Sequence, residues 1–452
     1  MTERIRDLSE PVAPFPEFPE RLAAETAAKE RTDRYPDSAY SGAPGEMVRA
    51  LEANVDALAE EIVSVSHDIH DHPEVAFEEH HAVETLVGHL AEHGIAAKTG
   101  AFGVDTAFLA EFGSDEGPRV GIISEYDALP GIGHGCGHNV MAAAGLGAVL
   151  ALKKLQDEHP DSVPGRIVYF GAPAEEGHSG KEYMARGGAF TPGSLDACLM
   201  VHSFGGYDVA NQVWLGRRVL TADFRGVAAH ASSAPFMGRN ALDAAALVYQ
   251  AIGLLRQQMA PVDRIHAIIT KGGTRQSIIT EEAQMKFYVR AKYPGMLKDL
   301  SRRLEEIVKG AALMTDTGVD IRWDEHPATL PLRSNSALEG RYVAAERRRG
   351  RDPLPLGVVS ELFAASTDFG NVSYRVPGIH PLIQVAGADA ELHTRAMAEA
   401  GDKPPADRGA VDGAYGLAQT ALDVLWDREL LAAVHREFED DGGAVDVEHF
   451  FD

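Results

Sequence analysis

Between residues 216 and 325 the apolar pattern switches between period 2 and period 3.6 in a fixed order. It reads strand (Arg218–Phe224), helix (Arg239–Met259), two strands (Ile265–Thr270 and Gln284–Arg290), helix (Pro294–Thr315) and strand (Val319–Trp323). That βαββαβ order predicts a small ferredoxin-like unit. Material of a different kind flanks it on both sides, so the rest of the chain is predicted to be one discontinuous domain interrupted by this insertion.

Upstream, apolar residues recur at helical spacing from Met47 to about His70 and from about Glu78 to Gly94, separated by the breaker His72-Pro73. Short runs rich in Val, Ile and Phe follow at Thr106–Phe112, Val120–Ser124, Arg166–Ala172 and Ala197–His202, with helical stretches between several of them. This is the signature of an α/β sheet buried on both faces. The expected division is an N-terminal extension (1–45) that packs on the surface or stays mobile, a first part of the main domain (46–215), the inserted unit (216–326) and a second part (327–452). The run ERRRGRDP at 346–353 reads as a solvated helix end.

Bulk properties exclude several classes of function. With 42 Lys+Arg against 68 Asp+Glu, the net charge of −26 repels phosphate backbones and anionic membrane surfaces, so no nucleic-acid partner is expected. No stretch approaches the roughly 20 apolar residues of a membrane span. The opening MTERIRDLSEPVAPFPEFPE lacks the apolar core of a secretory signal, and two cysteines in 452 residues suit a reducing compartment. The cytoplasm is the expected location.

Chemistry-bearing residues gather where the apolar runs end, the position at which open α/β sheets form their sites. In GIGHGCGHN (131–139), Cys136 and His138 can reach one ion if the chain turns sharply between strand and helix, which alternating glycines permit. Alone, that pair is more simply a glycine-rich turn. The run VGIISEYD (120–127) delivers Glu125 and Asp127, an acid that either caps the turn or holds a ligating imidazole in one tautomer. IVYFGAPAEEG (167–177) ends in Glu175 and Glu176, adjacent acids that repel unless a cation or proton relieves them. DACLMVH ends in His202, and ELHT places His393 after the strand-like Pro381–Ala386. One thiolate, three imidazoles and a carboxylate exceed the four donors of a closed structural zinc site and suit two ions sharing a bridge.

The segments SEYDALPGIGHGCGHN, GAPAEEGHSG, LMVHSF, GVAAHASSAPFMGRNALDA and STDFGNVSYRVPGIHPLI together resemble the metallopeptidases of family M20. Within it they resemble the amidohydrolase branch (subfamily D), in the p-aminobenzoyl-glutamate hydrolase and β-alanyl-lysine-type dipeptidase group, over about residues 50–430. The resemblance implies an α/β fold with a discontinuous zinc-peptidase-like catalytic domain and an inserted lid and dimerisation domain. It implies that Cys136, His138, Glu176, His202 and His393 bind two divalent ions per subunit, with Glu175 as general base and Asp127 as the orienting acid. Zinc or manganese is the expected metal, and cobalt or nickel also suits these donors.

Other branches carry a ligand histidine where this chain has Glu125. His230, in GVAAHASS, matches the lid histidine that reaches the partner subunit's active site, which implies a homodimer. Arg290, in KFYVRAKY, matches the lid arginine associated with the substrate carboxylate. Where relatives show Asn-Ile-Ile-Pro, this chain has KGGTRQSIITEEA, with Ser277 and Thr280 instead, a departure at the substrate contact. The implied substrates are N-acyl amino acids, aryl-amide glutamates and small dipeptides, cleaved by metal-assisted hydrolysis. The alternatives are a catalytically silent metal-binding or regulatory protein of the same fold, and a self-associating structural subunit.

Overall fold

The computed structural model describes residues 11–452; the first ten residues of the expected N-terminal extension lie outside it. Four helices lead the chain: α1 (Glu17–Glu30), α2 (Gly45–Ala57), α3 (Ala59–Asp71) and α4 (His80–Glu92). Helix α1 has no counterpart in the apolar pattern because only Thr26 on it is buried. It is held by polar contacts to a distant loop: Thr26 Oγ1 to the Val358 carbonyl at 3.3 Å and Lys29 Nζ to that of Gly357 at 2.9 Å. The single helix expected from Met47 to His70 is two, broken at Leu58 (ψ 1°). The buried positions Leu51, Val55, Leu58, Ile62, Val65 and Ile69 run through the break at spacings of three and four, so periodicity cannot reveal it.

The main sheet is built from β1 (Ala97–Thr99), β2 (Phe108–Gly113), β3 (Arg119–Glu125), β4 (Arg166–Ala172), β5 (Ala197–Leu199) and β11 (Gly378–Ile379), in the order β1-β2-β4-β3-β5-β11. Strands β3, β4, β5 and β11 are parallel, whereas β1 and β2 add an antiparallel edge. Alternation fills both faces. Ile122, Ile167 and Tyr169 enter one core, and Ile123, Val168 and Phe170 enter the other.

Helix α5 (His138–Glu158) lies against the first face, and every residue from His138 to Leu152 is buried. Its approach depends on Gly145, where a Cβ would stand 2.1 Å from Ser124 Oγ on β3. Helix α6 (Gly180–Arg186) contributes Met184 to the second core.

The expected strand Ala197–His202 is interrupted. Beyond β5 the same two segments stay in register, Met200 still donating to the Ile379 carbonyl at 3.2 Å, and β6 (His202–Gly205) pairs in parallel with β12 (Leu382–Ala386) as a two-stranded sheet. The partner segment explains the interruption: Pro381, between β11 and β12, has no N–H and leaves one rung of the ladder unmade, while its carbonyl still accepts the His202 amide at 2.8 Å.

The segment 216–323 folds as β7 (Gly216–Arg225), α7 (Ala241–Leu255), β8 (Arg264–Lys271), β9 (Glu282–Ala291), α8 (Pro294–Met314) and β10 (Gly318–Trp323). All pairings in its sheet, ordered β10-β7-β9-β8, are antiparallel, and β8 is an edge. Its own core includes Leu220, Phe224, Val248, Ile252, Phe287, Leu300 and Leu304. At its junction with the main sheet, Arg217 and Thr329 exchange both backbone hydrogen bonds, at 2.8 and 3.0 Å.

The chain then completes the larger unit with α9 (Ser336–Arg348), α10 (Phe369–Ser373), α11 (Arg395–Ala400), α12 (Pro404–Trp426) and α13 (Arg428–Asp440). The arginines at the end of α9 are not a solvated helix end: Arg349 and Arg351 share the two oxygens of Asp412, at 2.9 and 2.7 Å, and Arg351 also binds Asp208. No described helix is long and apolar enough to cross a membrane.

Candidate metal centre

Strand β3 ends at Glu125, and Tyr126 and Asp127 follow it; all three are buried. The chain then turns through GIGHGCGHN. Gly131, Gly133 and Gly137 take positive φ; at Gly137, which precedes α5, a Cβ would also stand 2.6 Å from Ser203 Cβ. The two polar residues of this stretch that the sequence left without a role are anchors. His134 Nε2 meets the Ile69 carbonyl at 3.0 Å, and the Asn139 amide donates to Ser66 and, at 2.9 Å, to the Gly401 carbonyl.

The turn sets His138 against Asp127, whose carbonyl oxygen and Oδ1 lie 2.8 and 3.2 Å from Nδ1. Asp127 Oδ2 accepts the Glu176 amide at 2.8 Å. Burial works to raise the Asp127 pKa, but the His138 charge and these hydrogen bonds outweigh it and hold the acid below its ordinary range.

Glu175 and Glu176 are not at a strand end, because β4 stops at Ala172. What directs them is Ala174, a left-handed residue (φ 58°) whose amide donates to Glu79 Oε1 at 2.8 Å. Burial, then the charges of Glu125, Glu176 and Asp368, push the Glu175 carboxyl well above its ordinary pKa.

His202 gives its Nδ1 to the Ser203 carbonyl at 2.7 Å, which leaves Nε2 facing Cys136 Sγ at 3.6 Å. Burial, then the His138 charge, lowers its pKa to about 3, so the ring is neutral with a free lone pair. His393 is also left-handed (φ 64°), its amide bonds the Gly135 carbonyl, and its Nε2 lies 3.3 Å from Glu176 Oε1. Left-handed backbone at non-glycine residues costs roughly 1–2 kcal/mol each, and here it falls beside the clustered donors at Ala174 and His393.

The donors form three overlapping groups, each with its ligand atoms within 4.8 Å of one another: Cys136, His138 and His202; Cys136, Glu176 and His393; His138, Glu175 and Glu176. Two observations test whether a cation fits. His138 Nε2 and Glu176 Oε1 are buried without any hydrogen-bond partner. Burial, followed by the Glu176 charge, pushes the Cys136 thiol well above its ordinary pKa, so its thiolate requires a positive neighbour. The donor set fits divalent cations.

Three residues expected at the site lie on the four-stranded unit. His230 and Ser277 are neighbours there: His230 bridges to Ile278, and the Ala231 amide donates to the Ser277 carbonyl at 2.9 Å. Ser277 and His230 are both exposed. Ser232 and Ser233 amides face His230 Nδ1 at 3.3 Å, so the ring proton sits on Nε2. Arg290 is near the other end of β9, its guanidinium 4.3 Å from the Tyr288 ring centroid, in a cavity shared with Arg264, His266 and Glu361.

Sequence reasoning passed over Glu79 and, beneath the cluster, Lys181 and Asp368, which form a buried network with Glu125. The only sign of Lys181 was a lysine closing the polar run EEGHSGK, and Glu79 was one acid among several in EVAFEEHH.

A model of the family described as Peptidase family M20/M25/M40 matches residues 121–398. The chain is similar to the Xaa-Arg dipeptidase of Mus musculus, 36% identical over 403 residues covering 86% of this chain and 91% of that protein. It is also similar to a p-aminobenzoyl-glutamate hydrolase chain of Escherichia coli, at 27% identity covering 87% and 95%. Two solved structures share the fold. One is an aminobenzoyl-glutamate utilization protein from Klebsiella pneumoniae (TM-score 0.64, 20% identity, 84% of this chain and 99% of that one). The other is a Bacillus subtilis protein described as a dinuclear metal binding peptidase from M20 family (TM-score 0.62, 19% identity, 82% and 99%).

Proposed function

The chain belongs to peptidase family M20/M25/M40 and is a metallo-amidohydrolase/peptidase, and from that premise we propose that it hydrolyses the amide of an N-acyl amino acid, an aryl-amide glutamate or a small dipeptide. Cys136, His138, Glu176, His202 and His393 hold two divalent ions, zinc or manganese ahead of cobalt or nickel. The observation that carries this reading is the sharing of Cys136 between two donor groups, one with His138 and His202 and one with Glu176 and His393. The names of the Mus musculus and Escherichia coli relatives, a dipeptidase and an aryl-amide hydrolase, favour the substrate classes.

Divalent ions bound here supply Lewis acidity, making water nucleophilic near neutral pH and polarising the scissile carbonyl. Asp127 keeps the His138 proton on Nδ1 and so presents Nε2 to the cation side. Glu175 takes the proton of the attacking water and returns it to the leaving nitrogen, which departs poorly unless protonated. Arg290 pairs with the carboxylate of the released part, and Ser277 takes the place of the relatives' asparagine near the substrate.

His230 stabilises the oxyanion through Nε2–H, in the site of the partner subunit. The geometry of β9 supports this. Ser277 and His230 lie before its start at Glu282, and Arg290 is eight residues beyond it, about 27 Å along the strand. One small substrate cannot span that length, so His230 and Arg290 meet the same molecule only if two chains contribute. The exposed Ile268 and Ile269 on edge strand β8 offer a surface for the second copy. The free, buried Cys136 and Cys198 agree with a cytoplasmic setting.

The experiment is release of amine, read by mass spectrometry, from a panel of N-acyl amino acids, p-aminobenzoyl-glutamate and β-alanyl and Xaa-Arg dipeptides, with zinc- and manganese-loaded protein. Turnover lost in Glu175→Gln at unchanged metal content is the expected result. Silence of the loaded wild type across the panel would return the reading to a metal-binding protein without catalysis.

A further inference from the structure

Glu125 is fully buried at the end of β3, and its two carboxylate oxygens have different fates. Oε2 pairs with the ammonium of Lys181, itself 2.7 Å from Asp368 Oδ1, with all three side chains at 0% exposure. Asp368 Oδ2 also accepts the Lys181 amide at 2.9 Å, so the lysine is fixed at both its backbone and its ammonium. Oε1 is left with no hydrogen-bond partner, 3.3 Å from His138 Nε2, which has none either.

Those two atoms stand at hydrogen-bond distance from each other, yet each is unsatisfied. His138 Nδ1 is taken up by the Asp127 carbonyl and carboxylate, which leaves Nε2 as the ring nitrogen without a partner. Buried polar atoms without partners are costly, and one cation between these two would satisfy both. Their alignment does not make a hydrogen bond, which is what donors bound side by side to a third atom look like.

Distance agrees. Donor atoms at about 2.1 Å from one ion, at angles between octahedral and tetrahedral, stand roughly 3.0–3.4 Å apart. Glu176 Oε1 and His393 Nε2, both already in the proposed ligand set, are separated by the same 3.3 Å.

We infer that Glu125 is a sixth protein donor, binding through Oε1 alone to the ion that His138 holds, with Lys181, itself fixed by Asp368, as the positioning residue that occupies Oε2 and keeps the contact monodentate. This rests on the two-ion reading above. It gives that ion an additional hard oxygen donor and suits a metal that accepts five or six ligands.

The test compares wild type, Glu125→Gln, in which the Lys181 ammonium keeps Asp368 as its partner, and the double variant Glu125→Gln/Lys181→Met, which also removes the ammonium. Metal content and chelator competition report stoichiometry and affinity, and visible absorption of the cobalt-loaded forms reports coordination number. The wild type is expected to bind two ions. Both variants are expected to hold one of them at least about tenfold more weakly, beyond the low end of what loss of an outer contact costs, with stronger cobalt absorption as coordination falls. Two ions at unchanged affinity with an unaltered cobalt spectrum would overturn the role of Glu125 and leave the two-ion site standing; a wild type that binds no ions would overturn both. A crystal structure of the manganese-loaded wild type decides without variants: Glu125 Oε1 within about 2.4 Å of an ion supports the assignment, and a clearly longer distance refutes it.

Discussion

Glu79 Oε1 accepts the Ala174 amide at 2.8 Å, immediately before the two acids Glu175 and Glu176. Its other oxygen accepts the Thr106 hydroxyl, also at 2.8 Å, and the side chain is wholly buried. A carboxylate distant in sequence thus holds a left-handed residue in the turn that aims the proposed base. Glu79→Ala leaves an amide and a hydroxyl without partners, and should cost about 1–3 kcal/mol of unfolding free energy. It should also lower kcat at unchanged metal content. Wild-type stability and turnover in this variant would remove Glu79 from any positioning role.

The shared-site arrangement can be read by subunit mixing. His230→Ala and Glu175→Gln homodimers should each be inactive, because each lacks a different half of every site. Refolded together at equal amounts, half of the dimers carry one intact site, so about a quarter of wild-type activity should return. If mixing restores nothing, or if an isolated monomer is fully active in the ultracentrifuge, His230 does not act across subunits.

Cys136 belongs to two of the three donor groups, so losing its thiolate should disturb both ions together. Cys136→Ser should weaken metal binding beyond the roughly 10–100-fold seen when outer partners of metal ligands are removed. Metal analysis after dialysis reads this directly, and two ions retained at wild-type affinity would reduce the cysteine to a packing residue.

Glu339, far from the cluster, is the cleaner pH probe. It accepts Tyr35 OH at 2.9 Å and the Asn211 amide at 2.8 Å, and burial pushes its pKa up from 4.5 to about 7. Between those values the folded chain keeps a proton that the unfolded chain has released, so its contribution to stability falls as pH rises from 4.5 to about 7 and is level above that. The total is about 3 kcal/mol at 1.36 kcal/mol per unit. Glu339→Gln should flatten urea-unfolding free energy across this window relative to wild type. Parallel curves for the two proteins would show that Glu339 titrates normally.

What the sequence could determine is what repeats locally. The order and approximate bounds of β7 to β10, α7 and α8 follow from alternating and helical periods, because each strand or helix there buries one face on a single core, including Phe224, Val248 and Leu304. That Cys136, His138, Glu176, His202 and His393 gather in one place was legible for a related reason: apolar runs announce where strands end, and polar residues beyond them have few other reasons to be there.

Tertiary structure decided the rest, because it depends on partners that no local period encodes. The break between β5 and β6 is set by Pro377–Ala386, roughly 180 residues away along the chain, through a ladder that Pro381 interrupts. The separation of Glu175 from Glu176 is not the alternation of a strand but the left-handed turn at Ala174 tethered to Glu79. The free oxygen of Glu125 is directed at His138 because Lys181, held in turn by Asp368, takes up the other one. Hydrogen-bond partners of buried charges are chosen by three-dimensional proximity, since burial makes an unpaired charge so costly that the nearest complementary group is recruited whatever its place in the chain.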